Sequence, residues 1–369
     1  MVKDFNLSIL THPVLVGVVN HLHYNMKDII CVGGSNTSFS RPEKERFKNA
    51  YCPNGDEPNA NIGSYPEAIH RNFGNKVYNL GVASNTVQAS VLSTLSLATK
   101  LLNDGNNNFS IIFNCPEFYR QSFYFSDKMR KIKNIKDDLV NPINNHYLFT
   151  NDQSGFLLFG GVQNVAKEAY SDDNAFKVAK TYSEHLFSFE EAEIKSITHL
   201  LLLQNFCKSN NIQYKIFFDF DVLSLPDMNW FELDKTNEET YFKSYFIDKV
   251  LTKKEPLAYI KKDEYVYDLF KMLDLNNFWF YKDDNVKYGG IHEWIFKNNE
   301  YKEGEDEYIA FFFEDTEMTP RELQDKPTLL TIESAKEKMK KGIFFETAHP
   351  TYYYWEKFVK EVMITWNLF

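Results

Sequence analysis

The sequence predicts an α/β fold built on a parallel sheet, and three observations point there. Short apolar runs end in glycine at Gly33 and Gly81, stretches with helical spacing separate them, and the alternation continues from Asp28 to Asn114. The run Asp28 to Gly33 (DIICVG) has the form of a buried strand entering a tight turn. After an Asn-, Pro- and Gly-rich loop from Pro42 to Gly63, Ser64 with Glu67 three residues on predicts a capping box, with a helix running to Phe73. Gly74 and Asn75 break that helix, and Lys76 to Leu80 resumes the strand pattern.

Val87, Val91, Leu95, Ala98 and Leu102 recur at spacings of three and four, which predicts a helix over Thr86 to Leu102 with one buried face. A turn over Asp104 to Asn108 leads into a third strand, Phe109 to Phe113. Ser188 and Glu191 form another capping box ahead of Ile194, Ile197 and Leu201, and the helix they open is expected to end near Asn210. Tyr214 to Phe218 predicts a fourth strand, and Thr351 to Ile364 a terminal helix with Trp355, Phe358, Val359 and Val362 on its apolar side. The chain therefore divides into one elaborated domain, with a core near 28–114, 188–221 and 336–369. Two long insertions, near 115–187 and 222–335, are expected to pack on the sheet's edge.

Composition narrows the function. At 369 residues, 43% hydrophobic and 25% charged, the chain has ordinary globular composition, not that of a disordered polymer. Lys plus Arg number 41 against 51 Asp plus Glu, a net charge of −10, which argues against a nucleic-acid partner. The Lys-rich stretches Lys128 to Lys136 and Lys336 to Lys341 read as solvated helix faces. Cys31, Cys52, Cys115 and Cys207 lie too far apart for a zinc motif or a dense disulfide framework. No stretch approaches the roughly 20 apolar residues of a membrane span, and Val14 to Val19 is too short for a secretion signal. The expectation is no membrane partner and a cytoplasmic location, or a virion-associated one if the source is viral.

The turns that follow the strands carry the candidate chemistry, because in an open parallel sheet ligands collect beyond the strands' carboxyl ends. After the first strand comes Gly33-Gly34-Ser35-Asn36-Thr37, where a serine in a sharp turn presents its hydroxyl and its own N–H to a cleft. Gly81 after the second strand offers another unshielded N–H, which would complete an oxyanion-binding pair. Near the C-terminus, Glu346-Thr347-Ala348-His349-Pro350 places a histidine just before a helix and a carboxylate three residues upstream, so that one loop can supply a base and the group that orients it.

These ordered blocks resemble the GDSL or SGNH serine hydrolases, a family of esterases and lipases. The likeness brackets residues 28 to 369 but does not cover the insertions. It implies a flavodoxin-like three-layer α/β/α sandwich, with Ser35 as nucleophile, His349 as base, Glu346 as its partner and Gly81 as an oxyanion donor. Asn114, from Asn114-Cys115-Pro116-Glu117 after the third strand, stands where the family's asparagine gives a further oxyanion contact. The chain departs from the pattern at Gly34, where the family has an acidic residue, at Glu346, where Asp is commoner, and in the third block, where aligning its acidic position on Glu117 puts Pro116 inside the motif.

The resulting expectation is acyl-ester hydrolysis through an acyl-enzyme, with no cofactor and no metal. Two aromatic clusters, Phe118, Tyr119, Phe123, Tyr124 and Phe125, then Phe278, Trp279, Phe280 and Tyr281, could stack on sugar rings, pointing to an O-acylated carbohydrate as substrate. Clusters of this density are more often the small cores of insertions or subunit contacts, and that reading is favoured over sugar stacking. A rival reading keeps the fold and drops the catalysis, leaving a binding or assembly module such as a viral structural component. His21 and His23 alternate as on a strand but lack a third metal ligand, Gly33-Gly34 lacks the motifs of a phosphate loop, and Asp219 and Asp221 read as strand terminators.

Overall fold

The computed structural model describes residues 26–34, 37, 64–81, 85–125, 140–141, 155–159, 181–182, 185–224, 255–298, 313–315, 344–346, 350 and 352–369. Its centre is a parallel sheet of five strands: β1 (Asp28–Val32), β2 (Val77–Asn79), β3 (Phe109–Cys115), β7 (Gln213–Phe218) and β8 (Phe278–Trp279). They lie in the order β2-β1-β3-β7-β8, the flavodoxin-like order in which the chain runs outward from β1 one way and then returns to build the other side. Ile30 of β1 pairs with Tyr78 of β2 and Ile111 of β3, and Phe113 of β3 pairs with Ile216 of β7.

Strand residues alternate between two cores, as the period of two demands. Ile30, Val32, Ile111, Phe113, Ile216 and Phe218 face a layer of α2 (Val87–Asn103), α3 (Phe189–Ser209) and α4 (Glu264–Lys271), which contribute Val91, Leu97, Ile197, Leu200 and Phe270. Ile29, Cys31, Ile112 and Phe217 face α1 (Tyr65–Phe73), α5 (Ile291–Asn298) and α6 (Tyr352–Glu361), through Tyr65, Ile69, Trp294, Trp355 and Phe358. The result is the three-layer α/β/α sandwich that the sequence implied. Aromatic rings fill the second core, with Phe358 set 4.9 Å from Trp279 and 5.2 Å from Trp294 in edge-on contacts.

Helix starts show which local signals hold. Thr86 caps α2 by accepting from the Ala89 N–H, and Ser188 caps α3 by accepting from the Glu191 N–H, as the capping box there predicts. The expected box at α1 does not form. Ser64 is buried and donates its hydroxyl to the Thr37 carbonyl at 3.1 Å, while Glu67 turns to Arg71 one turn on, at 2.5 Å. The hydroxyl's donor is spent on a loop carbonyl brought close by tertiary structure, and its oxygen accepts no cap bond from the helix N–H groups.

The expected insertions differ in what they hold. The first contains a small antiparallel sheet of β4 (Gln121–Phe125), β5 (Val140–Asn141) and β6 (Gly155–Phe159), in the order β4-β6-β5. The second stretch does not all lie outside the core: it supplies β8, α4 and α5. Phe278 is buried on one face of the main sheet, Trp279 packs against the other, and Phe280 stacks on Phe218 at 6.0 Å. A two-residue strand carries no periodicity, so its rings read in sequence as a separate cluster. Phe278 is buried and Trp279, Phe280 and Tyr281 are half-buried against the two cores, so packing accounts for this cluster without a sugar. Further on, β9 (Phe313–Asp315) and β10 (Phe344–Glu346) pair antiparallel.

Two of the buried carboxyls are shifted by their surroundings. Loss of hydration lifts Glu67 to about 7 despite the opposing pull of Arg71, and lifts Glu193 to about 7 against a hydrogen bond from Tyr259. The folded state therefore holds protons that the unfolded chain releases between about pH 4.5 and pH 7, so these groups favour folding at low pH and that contribution fades as pH rises through 7. In urea titrations the unfolding free energy should fall between about pH 5 and pH 8, and combining Glu67→Gln with Glu193→Gln should flatten that slope.

Candidate functional site

The order reversal of the sheet lies between β1 and β3, and the polar residues gather at the carboxyl ends of these strands. Gly33 leaves β1 directly against Asn114 of β3. A Cβ built on Gly33 would stand 2.6 Å from the Asn114 carbonyl oxygen, 2.9 Å from the Asn114 Cβ and 2.4 Å from the Thr37 hydroxyl oxygen, so only glycine fits. Gly34 is different: among the described residues a Cβ there would meet only Arg120 Nη1, at 3.8 Å. The two glycines thus differ: close packing requires the first, whereas the second makes only an ordinary contact among the described residues.

Thr37 closes the turn. Its N–H donates to the Gly34 carbonyl at 3.1 Å, and its own carbonyl accepts from Ser64 Oγ at 3.1 Å and Asn79 Nδ2 at 2.9 Å. Tyr65 ties the same segment to β1 by donating to the Val32 carbonyl at 3.3 Å, and Asn85 Nδ2 donates to the Gly33 carbonyl at 3.2 Å. Thr37, Ser64, Asn79 and Asn85 are all buried. Buried polar groups hold one another in place when each finds a partner, so this network fixes both ends of the turn that carries Ser35.

Of the residues expected to act, the structure brings Gly81 and Asn114 to this edge. The Gly81 N–H donates to Asn79 Oδ1 at 2.8 Å. Asn114 is fully buried and donates from Nδ2 to Asp219 Oδ1 at 2.7 Å, while its Oδ1 has no hydrogen-bond partner among the described residues. Ser35 and His349 lie outside the described residues, as do His21 and His23. Glu346 ends β10, opposite Phe313. Among the described residues no group of three His, Cys, Asp or Glu could hold a metal ion, and no helix is long and apolar enough to cross a membrane.

Two features of the edge escaped the sequence. Asp219, read as a strand terminator, reaches across from β7 to Asn114, and its place is set by the second insertion: the Asp219 carbonyl accepts from the His292 N–H at 2.8 Å, at the start of α5. Gly290 packs so closely there that a Cβ would fall 2.3 Å from the Phe218 carbonyl oxygen. Glu293, fully buried, accepts from the N–H groups of Gly290 at 2.8 Å and Asp221 at 3.0 Å, stitching helix to strand. Asp221 lies beyond the end of β7 at Phe218, in a turn where its Oδ1 accepts from the Leu223 and Ser224 N–H groups.

The second feature is Arg120, which grips Glu117 through Nε–Oε2 at 2.6 Å and Nη2–Oε1 at 2.9 Å. Burial pulls its guanidinium down, but the Glu117 charge, helped by Tyr119 and Asp219, outweighs that and keeps it above its ordinary value. Glu117 is thus engaged in a salt bridge. No motif joins Asp219 to Asn114 or Arg120 to Gly34, since the contacts exist only once the sheet has formed.

Compared with protein-family models, curated proteins and solved structures, the chain finds no match. The case for a function therefore rests on this edge and on the sequence blocks that form it.

The two glycines of the turn should respond differently to a methyl group. Gly33→Ala is expected to lower unfolding free energy by about 1–3 kcal/mol, because backbone and Asn114 must move apart, whereas Gly34→Ala should stay within about 0.5 kcal/mol. Paired urea titrations measure both.

Proposed function

We propose that this protein is a serine esterase of the SGNH type, acting through an acyl-enzyme at the carboxyl edge of the sheet. The observation that carries the reading is the position of Gly33 and Gly34, which precede Ser35 in the sequence, at the sheet's order reversal, with Asn114 packed against Gly33. The block order quoted above supports it further.

In this mechanism His349 removes the Ser35 proton as Oγ attacks the acyl carbonyl, and Glu346 holds the imidazole in the required tautomer. The tetrahedral intermediate collapses as His349 returns the proton to the leaving alkoxide. Water, activated by the same imidazole, then releases the acid and regenerates Ser35. The oxyanion takes the Ser35 N–H and the second hydrogen of Asn114 Nδ2, since a primary amide nitrogen has two and Asp219 occupies one. Gly81 joins only when its N–H leaves Asn79 Oδ1. The substrate is an ester of a small molecule or a carbohydrate, and no cofactor takes part.

One observation favours the rival, a non-catalytic binding or assembly module. The Gly81 N–H and one Asn114 N–H are both already bonded within the protein. The two readings diverge under a fluorophosphonate probe and a panel of p-nitrophenyl esters. The esterase should label at Ser35 and lose the label in Ser35→Ala. His349→Ala should cut turnover by about 10⁴-fold or more with the fold intact, while Glu346→Gln should keep partial activity. A wild type that neither labels nor turns over any ester establishes the module instead.

A further inference from the structure

We infer that Asp219 is a positioning residue for Asn114, setting which end of the Asn114 carboxamide faces the reacting group; this rests on the esterase reading above. An ionised carboxylate only accepts hydrogen bonds, so chemistry alone requires that Nδ2, not Oδ1, be the atom 2.7 Å from Asp219 Oδ1. That contact removes the two-fold ambiguity an asparagine otherwise has about its last torsion. With one hydrogen on Asp219, the other is left for a ligand. Were the amide reversed, the acceptor Oδ1 would face a developing oxyanion and repel it.

The surroundings fit this role. Asn114 is fully buried, so its amide cannot be oriented by bulk water, and its Cβ lies against Gly33 beside the turn that carries Ser35. The backbone of Asp219 is held through the His292 N–H and the close packing of Gly290, so the base of the side chain that carries the acceptor is fixed before any substrate arrives. A carboxylate so near an oxyanion would by itself oppose the reaction. Arg120, held by Glu117, lies close enough to feel the charge of Asp219 and offsets it.

A double-mutant cycle in the full chain tests the idea, with p-nitrophenyl acetate as probe substrate and circular dichroism to monitor the fold. Asp219→Ala should lower kcat about 10–100-fold, less than the roughly 100–1000-fold for loss of a donor outright, with KM changed less than about twofold. In the Asn114→Ala background the same substitution should cost nothing more, because Asp219 acts through Asn114. Asp219→Asn, which can still offer Nδ2 an acceptor oxygen, should recover most of the rate. If Asp219→Ala loses its fold, Asp219→Ser takes its place in the cycle. An active wild type with Asp219→Ala unimpaired, or with losses that multiply across the cycle, overturns this inference alone. A wild type with neither labelling nor turnover overturns the esterase reading and this inference together.

Discussion

The constraint on which the polar edge depends is the close approach of two neighbouring strand ends, where Gly33 leaves no room for a side chain against Asn114. The rest of the polar edge follows from it. Because the backbone of β1 passes so near β3, the turn after it must fold back at once, and Thr37 makes that reversal by bonding to Gly34. The Thr37 carbonyl then becomes the acceptor for Ser64 and Asn79, which brings the start of α1 and the end of β2 to the same point. One steric fact thus gathers three elements that are far apart in sequence.

Much of the frame was legible because its signals are local. The unbroken apolar run Ile29, Ile30, Cys31 and Val32, the spacing of Val87, Val91 and Ala98, and the cap at Ser188 are each decided by a few neighbouring residues. What escaped notice depends on distant pairing. Phe278 and Trp279 form too short a strand to show a period, and Ser64 has the right sequence for a cap but bonds to a loop instead. At the candidate site the glycines and Asn114 stood out as turn residues, whereas Asp219 and Arg120 gain meaning only from what the sheet sets beside them.

The edge is also committed to its own bonds. Asn79 holds Thr37 with its nitrogen and Gly81 with its oxygen, and Asn85 holds Gly33 with its nitrogen and Thr86 with its oxygen. Each side-chain amide therefore clamps two backbone segments. Such double use makes the turn rigid, which suits positioning, and leaves few donors uncommitted.

The main sheet is completed from far along the chain. Phe218 ends β7 and Phe278 begins β8, sixty positions later, yet the two rings stack at 6.3 Å. Closing so long a loop before any contact repays it is an entropic obstacle, and non-local pairing of this kind slows folding. The nascent polypeptide therefore exposes the bare outer edge of β7 until the last strand arrives, and during that interval the unpaired backbone there is open to association with another chain.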